Sequence, residues 1–372
     1  MKIAIHQPRV SYYYGGGERV PLEQASHFSK LGHEVFVITT EVNNKSQLFL
    51  DFQKNNPKVK IVAFKPTDKL KEIYKKELGQ SRHRADAESL EFGRMTKNFY
   101  LANQFDIVAT HYTVDSLYIP NNQFVVLELH GCPSKRRMID ARSLERANAL
   151  VCVAEYVGNF WKEMYLITRQ IYLTYNGIDS SYYTPEKRAK IYDLLYVGRL
   201  IKIKGVDDLL HSIKNVAQNF PKIRFAIVGK GPESDRLHTL AKKLKINHLI
   251  DWKNSIADCE LLELYRASKI GVFPSTAKEG VLTTMLEAAS CEIAVITTNS
   301  CGMPEFLKNN KNGLLVEPHN VTELTSAIEK LLNDDKLRNS LGKKARADIV
   351  RNWTWETRAK ELIKIYKLCL KK

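Results

Sequence analysis

Glu279 and Glu287 stand eight residues apart in Pro274-Ser-Thr-Ala-Lys-Glu-Gly-Val-Leu-Thr-Thr-Met-Leu-Glu-Ala288. The first falls in a loop after an apolar run, the second inside a helical pattern. Eight residues of helix span ~12 Å, too far for the close carboxylate pair of a glycoside hydrolase. The spacing suits a grip on two parts of one long ligand, with Glu279 accepting hydroxyl bonds and Glu287 holding a ribose. Between them, Gly280, Val281, Leu282 and Thr283 place backbone amides at a helix N-terminus, where phosphate binds. The plain alternative is a surface glutamate followed by an ordinary helix glutamate.

Arg199 and Lys204 occupy Val197-Gly-Arg-Leu-Ile-Lys-Ile-Lys-Gly205, between a strand and the next helix. Two cations beside a helix start make a diphosphate clamp. Solvated basic side chains on a loop are the competing reading. Val228-Gly-Lys-Gly-Pro-Glu233 is a further glycine-rich turn, with Pro232 suited to a first helical turn. Tyr14-Gly-Gly-Gly-Glu18 lets backbone approach a ligand closely, ahead of a helix expected over Val20–Leu31 and closed by Gly32. It is neither a dinucleotide fingerprint, since position 20 is Val, nor a P-loop, since no G-K-[ST] follows. His111 and His130 end two expected strands, and Lys135 lies five residues beyond His130. A lone histidine is more often structural than catalytic, but two at the carboxyl ends of adjacent strands face a ligand crevice.

Elements that alternate must position these groups. Strands are expected at Lys2–His6, Val35–Thr40, Lys60–Phe64, Phe105–Ala109, Phe124–Glu128 and Ala149–Val153. A second cycle opens at Asp193–Val197, with helix Val206–Asn219, strand Arg224–Val228, helix Ser234–Leu244, strand Ile270–Phe273, helix Thr284–Ser290 and strand Ala294–Thr297. Such β-α-β order predicts parallel sheets covered on both faces. Apolar residues at Trp355, Ala359, Leu362, Ile363, Tyr366 and Leu370 give the end of the chain one apolar helical face.

The chain has 372 residues, with 44% hydrophobic and 26% charged residues, which fits two ordinary cores and excludes disordered and fibrous classes. Its six cysteines form no C-x-x-C pair, so zinc ribbons and thioredoxin-like chemistry are not indicated. The scattered cysteines and the absence of a signal-peptide pattern suit a reducing cytoplasm. A formal net charge of +16, shared by both halves, fits a phosphorylated ligand, an anionic membrane or nucleic acid. No nucleic-acid reading motif accompanies it.

Together these motifs resemble the retaining, nucleotide-sugar-dependent glycosyltransferases of family four. The resemblance is carried by the Gly-Gly-Gly-Glu loop, Gly32-His33-Glu34-Val35, Leu129-His-Gly131, Tyr175-Asn-Gly-Ile-Asp179, Gly198-Arg199, Lys204-Gly205, Gly229-Lys-Gly-Pro232, the E-x7-E pair and Gly302-Met-Pro-Glu305. It implies the GT-B fold, two Rossmann-like α/β domains facing across a cleft. An acceptor-binding domain is expected over 1–183, a nucleotide-sugar domain over 184–352, and a helix crossing back to the first domain over 353–372. It further implies that Arg199 and Lys204 bind the donor diphosphate with help from the amides of Gly16 and Gly17. Glu287 would hold the ribose, Glu279 would contact the donor sugar, and His130 would support the developing oxocarbenium ion. His111 and Lys135 are candidates for acceptor or sugar contact. No metal or other cofactor is implied, and no D-x-D motif occurs.

The expected reaction is transfer of a hexose from a nucleoside diphosphate sugar to a hydroxyl of a glycan, lipid-linked or small-molecule acceptor. UDP-sugars are favoured on base rates alone. Where relatives often carry Phe-Gly-Leu-Pro after the first glutamate, this chain has Val281-Leu-Thr-Thr284, which leaves the sugar open. The rival enzyme reading is an epimerase or hydrolase of sugar nucleotides on the same scaffold. The basic stretch Lys54–Arg84 and the last helix suggest, as an alternative to simple packing, docking on an anionic inner membrane face.

Overall fold

The computed structural model describes residues 1–13, 15–75, 82–254 and 256–371. The chain divides into two compact units, Met1–Asn176 with Trp355–Lys372, and Gly177–Thr354.

In the first unit the strands are β1 (Lys2–His6), β2 (Glu34–Thr40), β3 (Lys60–Phe64), β4 (Ile107–Thr110), β5 (Val125–Leu129), β6 (Ala149–Cys152) and β7 (Ile171–Leu173). The helices are α1 (Gly16–Lys30), α2 (Gln47–Asn55), α3 (Asp68–Lys75), α4 (Arg82–Ala102), α5 (Met138–Arg146) and α6 (Glu155–Tyr165). The sheet runs β3-β2-β1-β4-β5-β6-β7, and every pairing is parallel. Its central strands read as unbroken apolar runs because both faces are covered, as parallel sheets require.

The second unit holds strands β8 (Tyr192–Val197), β9 (Phe225–Val228), β10 (Ile250–Lys253), β11 (Ser268–Phe273), β12 (Ala294–Thr298) and β13 (Leu314–Val316). Its helices are α7 (Val206–Asn219), α8 (Ser234–Lys243), α9 (Asp258–Arg266), α10 (Thr283–Ser290), α11 (Met303–Phe306), α12 (Val321–Asn333) and α13 (Asp335–Asn352). The order β10-β9-β8-β11-β12-β13 is again wholly parallel. In each sheet the order reverses beside the first strand, at β1/β4 and at β8/β11. Ligands of open α/β sheets bind at such points, beyond the carboxyl ends of the strands.

The last helix, α14 (Trp355–Cys369), belongs to the first unit. Trp355, Ala359, Leu362, Ile363, Tyr366 and Cys369 are buried along one stripe, and Tyr366 meets Phe28 of α1 edge-on at 5.8 Å. The apolar face is therefore used in packing, which leaves it unable to serve as a lipid-facing surface. Leu370, expected on that face, lies past the helix and is 41% exposed. Truncating Leu362 to alanine in this closed stripe is expected to cost about 2–5 kcal/mol. Urea unfolding read by circular dichroism checks it, and a change under 1 kcal/mol would mean the helix is only loosely attached.

Two expectations need correction. The division between units falls after Asn176, not after residue 183. Residues 177–183 belong with the second unit, where Ile178 N donates to Trp353 O at 2.8 Å, and Ser290 Oγ donates to Tyr183 O at 2.7 Å. Helix α1 begins at Gly16, four residues ahead of the expected Val20, so Gly16 and Gly17 open its first turn and Gly15 is its N-cap. Of the basic stretch Lys54–Arg84, residues 76–81 lie outside the described residues, as does Tyr14 of the glycine loop. No described helix is long and apolar enough to cross a membrane.

Candidate functional site

In the second unit, four turns stack at the point where the strand order reverses. The turn after β8 packs on that after β9: a Cβ at Gly229 would meet Gly198 O at 1.9 Å, and one at Gly231 would meet Leu200 O at 2.0 Å. It also packs on the turn after β11, since a Cβ at Gly205 would meet Pro274 O at 2.0 Å. Gly205 has φ +68°, a left-handed conformation that favours glycine. The fourth turn closes through Gly302, whose N–H donates to Glu279 O at 3.1 Å and whose missing side chain makes room for Gly280. These contacts explain why the glycines fall at strand ends across more than a hundred residues.

This stack gathers the expected donor residues. Lys204 is only 7% exposed, and its Nζ donates to Glu279 Oε1 at 2.5 Å. Ser275 Oγ donates to the same oxygen at 2.8 Å. Arg199 is exposed at the mouth of the turn and makes no ion pair among the described residues. Glu287 is 6% exposed inside α10, and Tyr265 Oη donates to its Oε2 at 2.8 Å. Gly280, Val281 and Leu282 lead into α10, whose first residue is Thr283 and whose N-terminus carries no side-chain cap. The buried cation is tied to Glu279, four residues ahead of the uncapped start of α10, and such amides and such a cation can each bind a phosphate. Glu287, one helix turn and more from that end, can reach a neutral polyol part of the same ligand.

The first unit gathers the others. His111 follows β4 and His130 follows β5, and these strands are paired neighbours. The two rings stack with centroids 5.2 Å apart, and His111 Nδ1 lies 3.0 Å from His130 Nε2, one proton apart. Burial pushes the His130 imidazole down to about 4 and holds His111 well below its ordinary range, so both rings are neutral near pH 7. Trp161 Nε1 donates to Gly131 O at 2.8 Å and anchors the backbone beside His130. Lys135 is exposed in the loop before α5. At α1, Gly16 and Gly17 are exposed first-turn residues with no side-chain cap and no atom within 4 Å of an added Cβ.

Several residues escaped the sequence reading. Glu128 lies fully buried in β5, with Oε2 3.8 Å from both His111 Nδ1 and His130 Nε2. Gln24 Nε2 donates to Oε2 at 2.8 Å and Tyr366 Oη to Oε1 at 3.1 Å. Burial raises the Glu128 carboxyl to about 7 against these two donors. Among the described residues, His111, Glu128 and His130 form the one cluster whose ligand atoms lie close enough together to hold a metal ion. Arg9 was also missed: it donates to Ser89 Oγ at 3.0 Å and Ala85 O at 3.2 Å, and lies 3.8 Å from both Glu88 and Asp115. Arg137 bridges Asp86 and Asp140, and Tyr112 Oη donates to Asp86 at 2.6 Å. These pairs pin α4 to the loops after β1, β4 and β5. The glutamate of the Gly-Gly-Gly-Glu loop, Glu18, lies with Oε2 3.1 Å from the Cβ position of Gly15, its carboxyl raised mainly by burial.

Two family models match the chain in tandem, Glycosyltransferase Family 4 over residues 14–182 and Glycosyl transferases group 1 over residues 184–348. A D-inositol 3-phosphate glycosyltransferase of Corynebacterium jeikeium (strain K411) is 32% identical over 178 residues, 46% of this chain and 42% of the relative. The chain thus spans less than half the length of that relative. A protein of the same name from Corynebacterium aurimucosum is 24% identical over 95% of this chain and 90% of its own length. Among solved structures, a glycosyltransferase from Rickettsia africae ESF-5 aligns with TM-score 0.77 and 19% identity, covering 100% of this chain and 99% of that one. Anabaena Alr3699/HepE, solved in complex with UDP, aligns with TM-score 0.78 and 16% identity over 99% of this chain and 100% of its own. At these identities the structures speak for the fold alone, which is GT-B.

Proposed function

The chain belongs to the family four glycosyltransferases, and from that premise we propose that it moves a sugar from a nucleoside diphosphate sugar to an acceptor hydroxyl with retention at the anomeric carbon. The observation that carries this reading is the gathering of Arg199, Lys204, Glu279, Glu287 and the uncapped start of α10 at the strand-order reversal of the second unit. Lys204 and Arg199 neutralise the diphosphate with the amides of Gly280–Thr283. Glu287, held by Tyr265, accepts from the ribose hydroxyls, and Glu279 accepts from the sugar hydroxyls. The UDP complex of Anabaena HepE, a protein of the same fold, supports uracil as the first base to try.

In the proposed step the sugar C1–O bond to the β-phosphate breaks while the acceptor oxygen bonds to C1 from the same face. The acceptor proton passes to the departing phosphate oxygen. The enzyme's task is to stabilise charge on the leaving diphosphate, which preorganised donors do without a nucleophile. Neutral His130 supports the developing oxocarbenium ion. No metal or cofactor takes part. The first unit supplies the acceptor contacts, for which His111 and Lys135 are candidates. Acceptors of this chemistry are glycans, lipid-linked sugars and small polyols. Work in the cytoplasm, with the basic surface near anionic lipid, fits the charge.

A panel of UDP-, GDP-, ADP- and dTDP-sugars, followed by nucleoside diphosphate release and by NMR of the product's anomeric proton, tests the proposal. Retention with one donor supports it, and inversion or no release from any donor contradicts it. Gly17→Ala gives a sharper readout at α1. Open space surrounds the added methyl, so stability should hold or rise by up to about 1 kcal/mol. The methyl would nonetheless stand over amides that must approach the phosphate, and turnover is expected to fall about tenfold. Full turnover would remove the Gly16–Gly17 amides from the donor site.

A further inference from the structure

We propose that His111, Glu128 and His130 form a three-ligand site for a late first-row divalent cation of the Zn2+ class. The geometry points there first. The three ligand atoms stand 3.0, 3.8 and 3.8 Å apart. A tetrahedral ion with bonds of about 2.0–2.1 Å places its ligands roughly 3.3–3.5 Å from one another, within small adjustments of this triangle. Two imidazoles and one carboxylate are a donor set for zinc, cobalt or nickel, whereas magnesium and calcium prefer oxygen alone.

The electrostatics agree. Glu128 is a fully buried carboxylate, and among the described residues no lysine or arginine lies within ion-pair distance of it. Buried charges are normally paired or coordinate a metal. Its outer contacts are already set, with Gln24 on one oxygen and Tyr366 on the other, as second-sphere donors orient a ligating carboxylate. Access is available through His130, whose side chain is 23% exposed while those of Glu128 and His111 are closed. Three protein ligands leave a fourth position open.

Occupancy has a consequence that rests on the transferase reading above. The ion would hold Nε2 of His130, the residue assigned to the oxocarbenium ion, so metal should switch transfer off reversibly. Binding itself does not depend on that reading.

The test uses the full chain stripped with a chelator and titrated with Co2+, read by visible ligand-field absorption, with Zn2+ calorimetry alongside. One saturable tetrahedral cobalt spectrum per chain is expected, lost or weakened at least tenfold in Glu128→Gln and His111→Asn. Unchanged spectra in both variants, or no saturable binding by the wild type, would overturn the site. X-ray absorption of the zinc-loaded wild type needs no variant: nitrogen and oxygen scattering with two imidazoles supports it, and sulfur scattering overturns it. Nucleoside diphosphate binding on the same samples separates the two readings. Metal binding without nucleotide binding would fail the transferase proposal alone, and the reverse would fail the metal site alone.

Discussion

Lys204→Ala is expected to lower kcat/KM for the donor by about 10²–10³-fold, the size seen when one preorganised donor to a developing anion is removed. The reason lies in where the lysine sits. It is buried in the turn after β8, with its charge held on Glu279 and its neighbours fixed by the contact of Gly205 with Pro274. Its stem is already desolvated, so its charge acts in a medium less screening than water. Without it, Glu279 keeps only the Ser275 hydroxyl of its two partners, and its carboxylate then faces the diphosphate unneutralised. The loss should be larger than that from Arg199→Ala, because exposed Arg199 works through screened solvent. Adding Glu279→Gln to Lys204→Ala should recover part of the nucleoside diphosphate affinity by removing that repulsion, while the sugar transfer rate stays low. Steady-state kinetics and calorimetry on the three variants check this. Wild-type kcat/KM in Lys204→Ala would exclude the lysine from the donor site.

Gly205→Ala should damage the same site through the backbone. The residue needs φ +68°, and its Cβ would stand 2.0 Å from Pro274 O, a contact no side-chain rotation relieves. The left-handed conformation costs ~1–2 kcal/mol for a residue with a Cβ, and the overpacking adds about 1–3 kcal/mol. For a unit of this size a loss of about 3 kcal/mol lowers Tm by roughly 6–12 °C. The turn after β8 would have to move off the turn after β11, separating Lys204 from Glu279, so nucleoside diphosphate stabilisation should vanish as well. Differential scanning calorimetry with and without nucleotide reads both effects. A variant with normal Tm and normal nucleotide stabilisation would mean that the two turns need not touch.

The parallel sheets were legible because buried strands such as Leu194–Val197 and Phe225–Val228 are short apolar runs between turn residues. Helix α7 was read at its full extent for the same reason, with a glycine before it and an apolar stripe along it. The edge strands of the second sheet were harder. β10 is Ile-Asp-Trp-Lys and β13 is Leu-Leu-Val, one too polar and the other too short to stand out. Helix α4 was missed because its buried face includes Glu88, Ser89, Glu91 and Thr96, which dilutes the apolar period. Ser89, Glu88 and Glu91 are met by Arg9, Arg84 and Thr67, of which Arg9 and Thr67 come from distant turns, while the Thr96 hydroxyl donates back to Phe92 O of its own helix.

The candidate donor residues of the second unit were legible because Arg199, Lys204 and Glu279 lie in turns that follow strands, and Glu287 stands eight residues after Glu279 in the helix that comes next. Glu128 was not, since its partners Gln24 and Tyr366 are 104 and 238 positions away. Within its own strand it is one polar residue in Val-Val-Leu-Glu-Leu, and nothing local marks it as more than that. Three glycines in a row suggest a turn, whereas the fold uses Gly15 as an extended N-cap and Gly16 and Gly17 as an open first helical turn.

In the proposed reaction the second unit binds a nucleoside diphosphate through Lys204, Arg199 and Glu287. Isothermal calorimetry with UDP, GDP, ADP and dTDP, on the wild type and on Glu287→Ala, addresses it most directly. Saturable binding of one of these by the wild type, weakened at least tenfold in Glu287→Ala while both proteins keep the same Tm, is the predicted result. No heat from any of the four, or equal affinity in the variant, would contradict it.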